Sequence, residues 1–173
     1  FAVGVLARDM AARVPSKVVS SAKSWLCVEG IDGNADVLPY DRTPVPRRIS
    51  PVEAARRYLN HLRCAWNAAF AGADPALRLE NQDVYLTVPA SFDAVARERT
   101  AEAAERCGLS VRLLEEPLSA FYAWLHDHPQ EWRDRVGEGD IILVCDIGGG
   151  TSDFTLILVT EDDGNLGLER IAV

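Results

Sequence analysis

Two stretches of this chain gather residue types that can handle a charged phosphate. In the first, Asp146-Ile147 is followed by Gly148, Gly149, Gly150, Thr151, Ser152 and Asp153. The apolar run at 141–145 reads as a buried strand that delivers Asp146 to its exposed end. Glycines have no Cβ, so their backbone N–H groups can turn toward an anion and approach it closely. Thr151 adds a hydroxyl to that nest. A carboxylate beside such a nest is what a magnesium nucleotide requires: oxygen ligands for the hard cation, donors for the phosphates. The pattern is neither a P-loop nor a dinucleotide fingerprint, since no Gly-Lys-Ser/Thr follows and the glycines do not open a helix. A hairpin needs only two turn residues, so this loop is longer than chain reversal alone demands. In the second stretch, Leu113-Leu114-Glu115-Glu116-Pro117-Leu118-Ser119-Ala120 places acidic residues where a strand meets a helix. The helix dipole alone favours acid there. Beside Asp146, a second carboxylate at a strand end could hold water and Mg²⁺ around one phosphate.

The elements that must position these residues follow from periodicity and caps. Val3, Leu6 and Met10 are spaced like a helix face ahead of Pro15. Between Gly30 and Pro51, Gly33, Pro39, Pro44 and Pro46 predict loop or short edge strands. Ser50-Pro51-Val52-Glu53 is a capping box with proline at the first helical position. Val52, Ala55, Leu59, Leu62, Trp66 and Ala69 then mark one buried stripe, ending at Gly72 to Pro75. Strand is predicted at 84–88. Asp93 caps a helix whose inner face is Ala96, Thr100, Ala103, Ala104 and Cys107, stopped by Gly108. A strand at 111–114 and a helix from Pro117 to about His126 follow. The polar stretch 127–139 reads as a connection. Strands at 141–145 and 154–159 flank the glycine loop, and Asp162-Asp163-Gly164-Asn165 turns the chain into a last strand at 166–173. The class is α/β.

Composition bounds the rest. The chain has 173 residues and a formal net charge of −8, ordinary for one soluble domain. No apolar run approaches the ~20 residues that span a bilayer, so no membrane role is expected. The acidic balance argues against nucleic acid, whose phosphates need clustered cations. The cations are lopsided, because Lys17 and Lys23 are the only lysines among 18 basic residues. Cys27, Cys64, Cys107 and Cys145 are too far apart for a metal cluster or small disulfide framework. They read as reduced, buried thiols of a cytoplasmic protein. His126-Asp127-His128 reads as surface, and Trp25, Trp66, Trp124 and Trp132 as core or interface anchors. The chain opens on Phe1 in an apolar run and closes on Ile171-Ala172-Val173 as a strand in progress. A piece of a longer protein is expected, and an open sheet edge at Val173 would favour self-association.

The motifs carry a resemblance. Residues 146–153 resemble the second phosphate loop of the actin-like ATPase superfamily. Glu115-Glu116-Pro117-Leu118-Ser119-Ala120 is similar to the Asn-Glu-Pro-Thr-Ala-Ala stretch of the DnaK-type heat-shock 70 kDa chaperones. Val84-Tyr85-Leu86-Thr87-Val88-Pro89-Ala90-Ser91-Phe92 resembles that family's strand ending Val-Pro-Ala-Tyr-Phe. Cys107-Gly108-Leu109 stands where it has Ala-Gly-Leu, and Ser21-Ala22-Lys23-Ser24-Trp25-Leu26 is similar to its Asp-Ala-Lys-Arg-Leu-Ile. Residues 27–50 carry no matching stretch.

The resemblance implies an actin-like ATPase, ribonuclease H-like fold, present here as most of lobe I and the start of lobe II. Residues 1–75 would be the outer lobe I subdomain with a cross-over helix at 51–71. Residues 80–136 would be the inner subdomain, and 140–173 the start of lobe II. It implies ATP/ADP and Mg²⁺ as ligands. Lys23 would be the catalytic lysine at the γ-phosphate and attacking water, a role suited to a compact point charge rather than an arginine fork. Glu116 and Asp146 would assist with water and Mg²⁺, and Gly148, Gly149, Gly150 and Thr151 would hold the β- and γ-phosphates. Pro89 and Arg97 would couple nucleotide state to a peptide-binding domain, with unfolded clients and co-chaperones as partners.

Glu115 stands where the family has Asn, and a second negative charge there bears on metal handling. Ser91 and Ser152 also replace aromatic residues of the pattern. The first phosphate loop, an Asp-x-Gly-Thr-Thr hairpin, and the adenosine motifs would lie before Phe1 and after Val173. An ATP-hydrolysing chaperone is therefore expected, with little or no turnover by these residues alone. A nucleotide-binding structural or regulatory switch and a small-molecule kinase of the same superfamily are the other readings.

Overall fold

The computed structural model describes residues 2–40, 45, 47–148, 152–162 and 164–173. Contacts divide the chain into two units, Phe1–Tyr85 with Asp93–Arg112, and Leu86–Phe92 with Leu113–Val173. The chain is of mixed α/β class.

The first unit is built on α1 (Val5–Ala11), α2 (Ala22–Trp25), α3 (Pro51–Trp66) and α4 (Ala94–Glu105). Helix α3 starts as the capping pattern predicts: the Ser50 hydroxyl accepts a hydrogen bond from the Glu53 N–H at 3.0 Å, with Pro51 in the first turn. The Glu53 carboxylate is held by the guanidinium of Arg56 at 2.6 and 2.9 Å and of Arg57 at 2.7 Å. Hydrogen bonding from Arg56, ahead of that from Arg57, outweighs desolvation and lowers the Glu53 carboxyl to about 2. Its contribution to stability is thus complete above the ordinary 4.5 and is lost as the pH falls through about 2. Glu53→Gln is expected to cost about 1–2 kcal/mol at pH 7. In urea titrations the gap to wild type should close between pH 4.5 and 2. A pH-independent gap would contradict this.

The apolar stripe of α3 is buried only in its first half. Val52 and Ala54 are buried, while Leu62 is 58% exposed and Trp66 and Phe70 are also exposed. Periodicity identifies residues that share a face, but not how far along the helix a neighbour covers it. Past Trp66 the chain widens into a π-helical turn over Asn67–Ala71 and leaves at Gly72, with φ at 52°. The Trp66 indole N–H donates to the Leu77 carbonyl at 2.9 Å, and the Asn67 amide oxygen accepts from the Leu79 N–H at 2.8 Å. These bonds fold the following loop back on the helix. Helix α1 likewise buries no residue.

Asp93 caps α4 as expected, its Oδ1 accepting from the Ala96 N–H at 2.7 Å. Ala96, Thr100, Ala103, Ala104 and Cys107 are all buried, so the predicted inner face is the observed one. Ala104, Cys107 and Leu109 form one core cluster with Leu59, Leu79 and Val111 packed on it. Ala22, Leu38 and Ala54 form another, joined by Val19, Trp25 and Ile49. The cysteines divide differently from expectation. Cys107 is buried and its thiol is pushed up by desolvation. Cys27, in the turn after α2, Cys64 on α3 and Cys145 on β3 are exposed.

Strands β1 (Val84–Val88) and β2 (Val111–Glu115) pair in a two-stranded sheet, and the unit boundary passes through both. The second unit continues with α5 (Glu116–Asp127), α6 (Trp132–Arg135) and an antiparallel meander of β3 (Ile141–Ile147), β4 (Ser152–Asp162) and β5 (Asn165–Ala172). The β4–β5 hairpin closes at Gly164 with φ at 81°, a left-handed conformation that suits glycine. Helix α5 contacts β3. Thr155, Ile157 and Val159 of β4 are buried. The opposite face is not: Ile141, Leu143, Ile147 and Phe154 are more than half exposed. Strand β3, expected to be buried throughout, is therefore covered on one face only.

Candidate functional site

Register places the principal carboxylates. Asp146 of β3 stands directly opposite Asp153 of β4, and Ile147 opposite Ser152. Alternation puts both aspartates on the face shared with Thr155, Ile157 and Val159. The core-facing side of the sheet thus ends in two acidic groups at the mouth of the glycine loop. Asp146 is exposed and Asp153 half-buried. Like charges opposite one another on a ladder repel, costing roughly 0.2–1 kcal/mol, and a divalent cation would remove that cost. Among the described residues no group of three or more metal-ligating side chains occurs. A two-carboxylate pair suits Mg²⁺, which keeps several waters and takes only one or two protein carboxylates. Asp153 was legible only as the last residue of the motif; the strand register gives it a cross-strand partner. Gly148 is described and exposed, whereas Gly149, Gly150 and Thr151 lie outside the described residues.

Glu116 is the first residue of α5, half-buried, with the buried Pro117 after it. A carboxylate in this first turn is stabilised by the helix dipole. Glu115, at the N-cap position, has its side chain 14% exposed and pairs with Arg170 of β5 at 2.8 Å. Sequence gave no sign of this ion pair, which joins residues 55 positions apart.

Lys23 lies in α2, in the first unit. Ala22 and Leu26 are buried on either side, which leaves Lys23 on the exposed face. The C-terminal end of α2 is held from a distance: Arg99 of α4 donates to the Leu26 carbonyl at 2.7 Å and to the Ile31 carbonyl at 2.7 Å. A Cβ on Gly33 would sit 2.6 Å from the Arg99 Nε and 2.8 Å from its Cδ. The bare glycine therefore makes room for the arginine. No local pattern announces Arg99; its signal was only the abundance of arginine.

Pro89 is buried in the second unit, and its carbonyl accepts from the Phe92 N–H at 3.1 Å. Arg97 belongs to the first unit, in the first turn of α4. The remaining aromatic and histidine residues do structural work. Trp25 packs against Tyr40 with ring centroids 4.9 Å apart, and Trp124 lies against both Phe121 and His128. His128 also bonds the Trp124 carbonyl through Nδ1 at 2.9 Å, while His126 is exposed.

No helix among the described residues is long and apolar enough to cross a membrane. A family model for the Hsp70 protein matches residues 68–169. The chain is 34% identical over 180 residues to the chaperone protein HscA of Klebsiella pneumoniae, covering 95% of this chain and 28% of that protein. It is 33% identical over 171 residues to a chaperone protein HscA homolog of Methylobacillus flagellatus, covering 92% of this chain and 25% of that one. It therefore spans little more than a quarter of these relatives. The family match takes in the paired β1 and β2, the Glu116 helix start and the Asp146–Asp153 strand pair. The chain belongs to the Hsp70 family, and its mixed α/β architecture is consistent with that family's actin-like ATPase fold.

Proposed function

We propose that these residues form part of a nucleotide-binding domain that binds magnesium-ATP and hydrolyses it to drive a chaperone's conformational switch. The observation that carries this reading is the cross-strand pair Asp146 and Asp153 at the two ends of the glycine loop. Opposed carboxylates there are unfavourable unless a cation joins them, and the glycine-rich sequence between them would supply donors for phosphate. Bound Mg²⁺ would supply charge neutralisation on the phosphate oxygens. Asp146 and Asp153 would hold it through oxygen, with Glu116 orienting water. Gly148, Gly149, Gly150 and Thr151 would present backbone and hydroxyl donors to the phosphates. Lys23 would place a compact positive charge near the γ-phosphate and the attacking water. Catalysis then rests on positioning and electrostatics, without a covalent intermediate.

On this reading residues 1–75 are the outer part of lobe I, 80–136 its inner part and 140–173 the start of lobe II. Pro89 and Arg97 relay nucleotide state toward a client-binding region. Clients and co-chaperones would be those of the longer protein. The 173-residue chain binds magnesium-ADP weakly and turns over ATP slowly or not at all, because its sequence holds one phosphate loop.

In single-turnover assays on a protein of the relatives' length carrying these residues, Lys23→Ala and Thr151→Ala should each lower the hydrolysis rate by about 10²–10³-fold. Wild-type rates in either variant would contradict its assigned role.

A further inference from the structure

Arg170 stands on the edge strand β5, with its side chain 38% exposed. Its Cα partner is Ile157, which is fully buried on the core-facing side of β4. That same face ends in Asp146 and Asp153. The cost of burial falls on its partner rather than on Arg170, whose side chain is 38% exposed, since a charge held away from water needs an opposite one. The partner is Glu115, whose side chain is 14% exposed and whose Oε2 lies 2.8 Å from the Arg170 Nε. Glu115 is also the one position in its motif where a charged residue stands in place of the uncharged one that the family resemblance calls for. The acidic side chain at the β2–α5 junction and the arginine on β5 thus answer each other.

We infer that Glu115 is a positioning residue rather than a metal or phosphate ligand: clamped by Arg170, it pins the β2–α5 junction to β5 and so fixes where Glu116 begins its helix. The pair has two consequences. First, the adjacent acidic charge is compensated, so Glu116 has no second uncompensated carboxylate beside it. Second, the only chain segment between Glu115 and Glu116 is one peptide unit, so holding the first sets the direction of the second. This inference rests on the proposed role of Glu116 but is tested apart from it.

The test compares the 173-residue wild type with Arg170→Gln, Arg170→Lys, Glu115→Gln and the double variant Glu115→Gln/Arg170→Gln. Three readouts are taken: melting temperature, the amide resonance of Glu116, and the response to magnesium-ADP. Each Gln single variant should lower the melting temperature by about 3–6 °C. The double variant should lose no more than the worse single variant. Arg170→Gln should move the Glu116 amide resonance while those of α4 stay in place, and Arg170→Lys should restore it in large part. Magnesium-ADP affinity should fall several-fold in Arg170→Gln and recover in Arg170→Lys. A stationary Glu116 resonance overturns the inference, whatever the melting temperatures do. Additive single variants overturn it as well. A wild type that shows no magnesium-dependent response to ADP counts against the proposed function instead, and the Glu116 resonance still decides the clamp.

Discussion

Asp146→Asn should abolish the magnesium-dependent response to ADP that is proposed for this chain and, in metal-free buffer, should make the chain more stable than wild type. Both effects come from one geometry. Asp146 and Asp153 are directly opposed on β3 and β4, where like charges cost roughly 0.2–1 kcal/mol. An amide at 146 keeps the shape and removes the repulsion. In EDTA the variant should therefore melt about 1–3 °C higher. The same change removes one of two anionic oxygen groups from the cation site. Adding Mg²⁺ and ADP should raise the wild-type melting temperature and leave that of the variant where it was, since only binding to the folded state stabilises it. A variant that is less stable without metal, or one that still gains from magnesium-ADP, would show that the pair has a structural purpose only. Asp153→Asn should behave in the same way, because the strand register treats the two residues alike.

Arg99→Met should produce the largest loss of stability, about 2–4 kcal/mol. The guanidinium spends two donors on the Leu26 and Ile31 carbonyls at 2.7 Å each. Methionine keeps much of the shaft but leaves both acceptors without their charged donor. The Leu26 carbonyl lies at the C-terminal end of α2, where a cation also complements the helix dipole. The effect should extend to Lys23 through that helix. Amide hydrogen exchange should quicken at residues 22–33 far more than along α3, whose ends are held by other bonds. Gly33→Ala should give a smaller version of the same pattern, because the new Cβ would push against the Arg99 shaft. Uniform loss of protection across the first unit would instead mean that Arg99 contributes only general packing.

The parts of this fold that sequence disclosed are those governed by a few neighbouring residues. Ser50 and Asp93 cap their helices through bonds to an N–H three positions on. The inner face of α4 follows from spacing alone, and Gly164 marks its hairpin because few other residues accept its φ. The Asp146 motif was legible because its residue types are unusual together, not because its geometry was. Three things escaped. Spacing showed that Leu62 and Trp66 continue the stripe of α3, and that Ile141 and Leu143 share a face of β3. It did not show that those surfaces are exposed, since exposure depends on what other segments do. For the same reason Cys27, Cys64 and Cys145 read as buried and are not. Long-range charge pairing escaped too: Arg99 and Arg170 are two among many arginines until the fold brings each to its partner. The opposition of Asp146 and Asp153 needed a strand register, which a loop of four residues does not define by itself.

On the proposed reading, the loop from Asp146 to Asp153 binds the phosphates of a magnesium nucleotide. The most direct test is an amide chemical-shift titration of the 173-residue chain with ADP, in Mg²⁺ and in EDTA. Saturable shifts confined to residues 146–153 and the start of α5 are expected, in Mg²⁺ only, with a midpoint at about millimolar ADP. Shifts that are the same in EDTA, or that leave residues 146–153 unmoved at saturating magnesium-ADP, would contradict it.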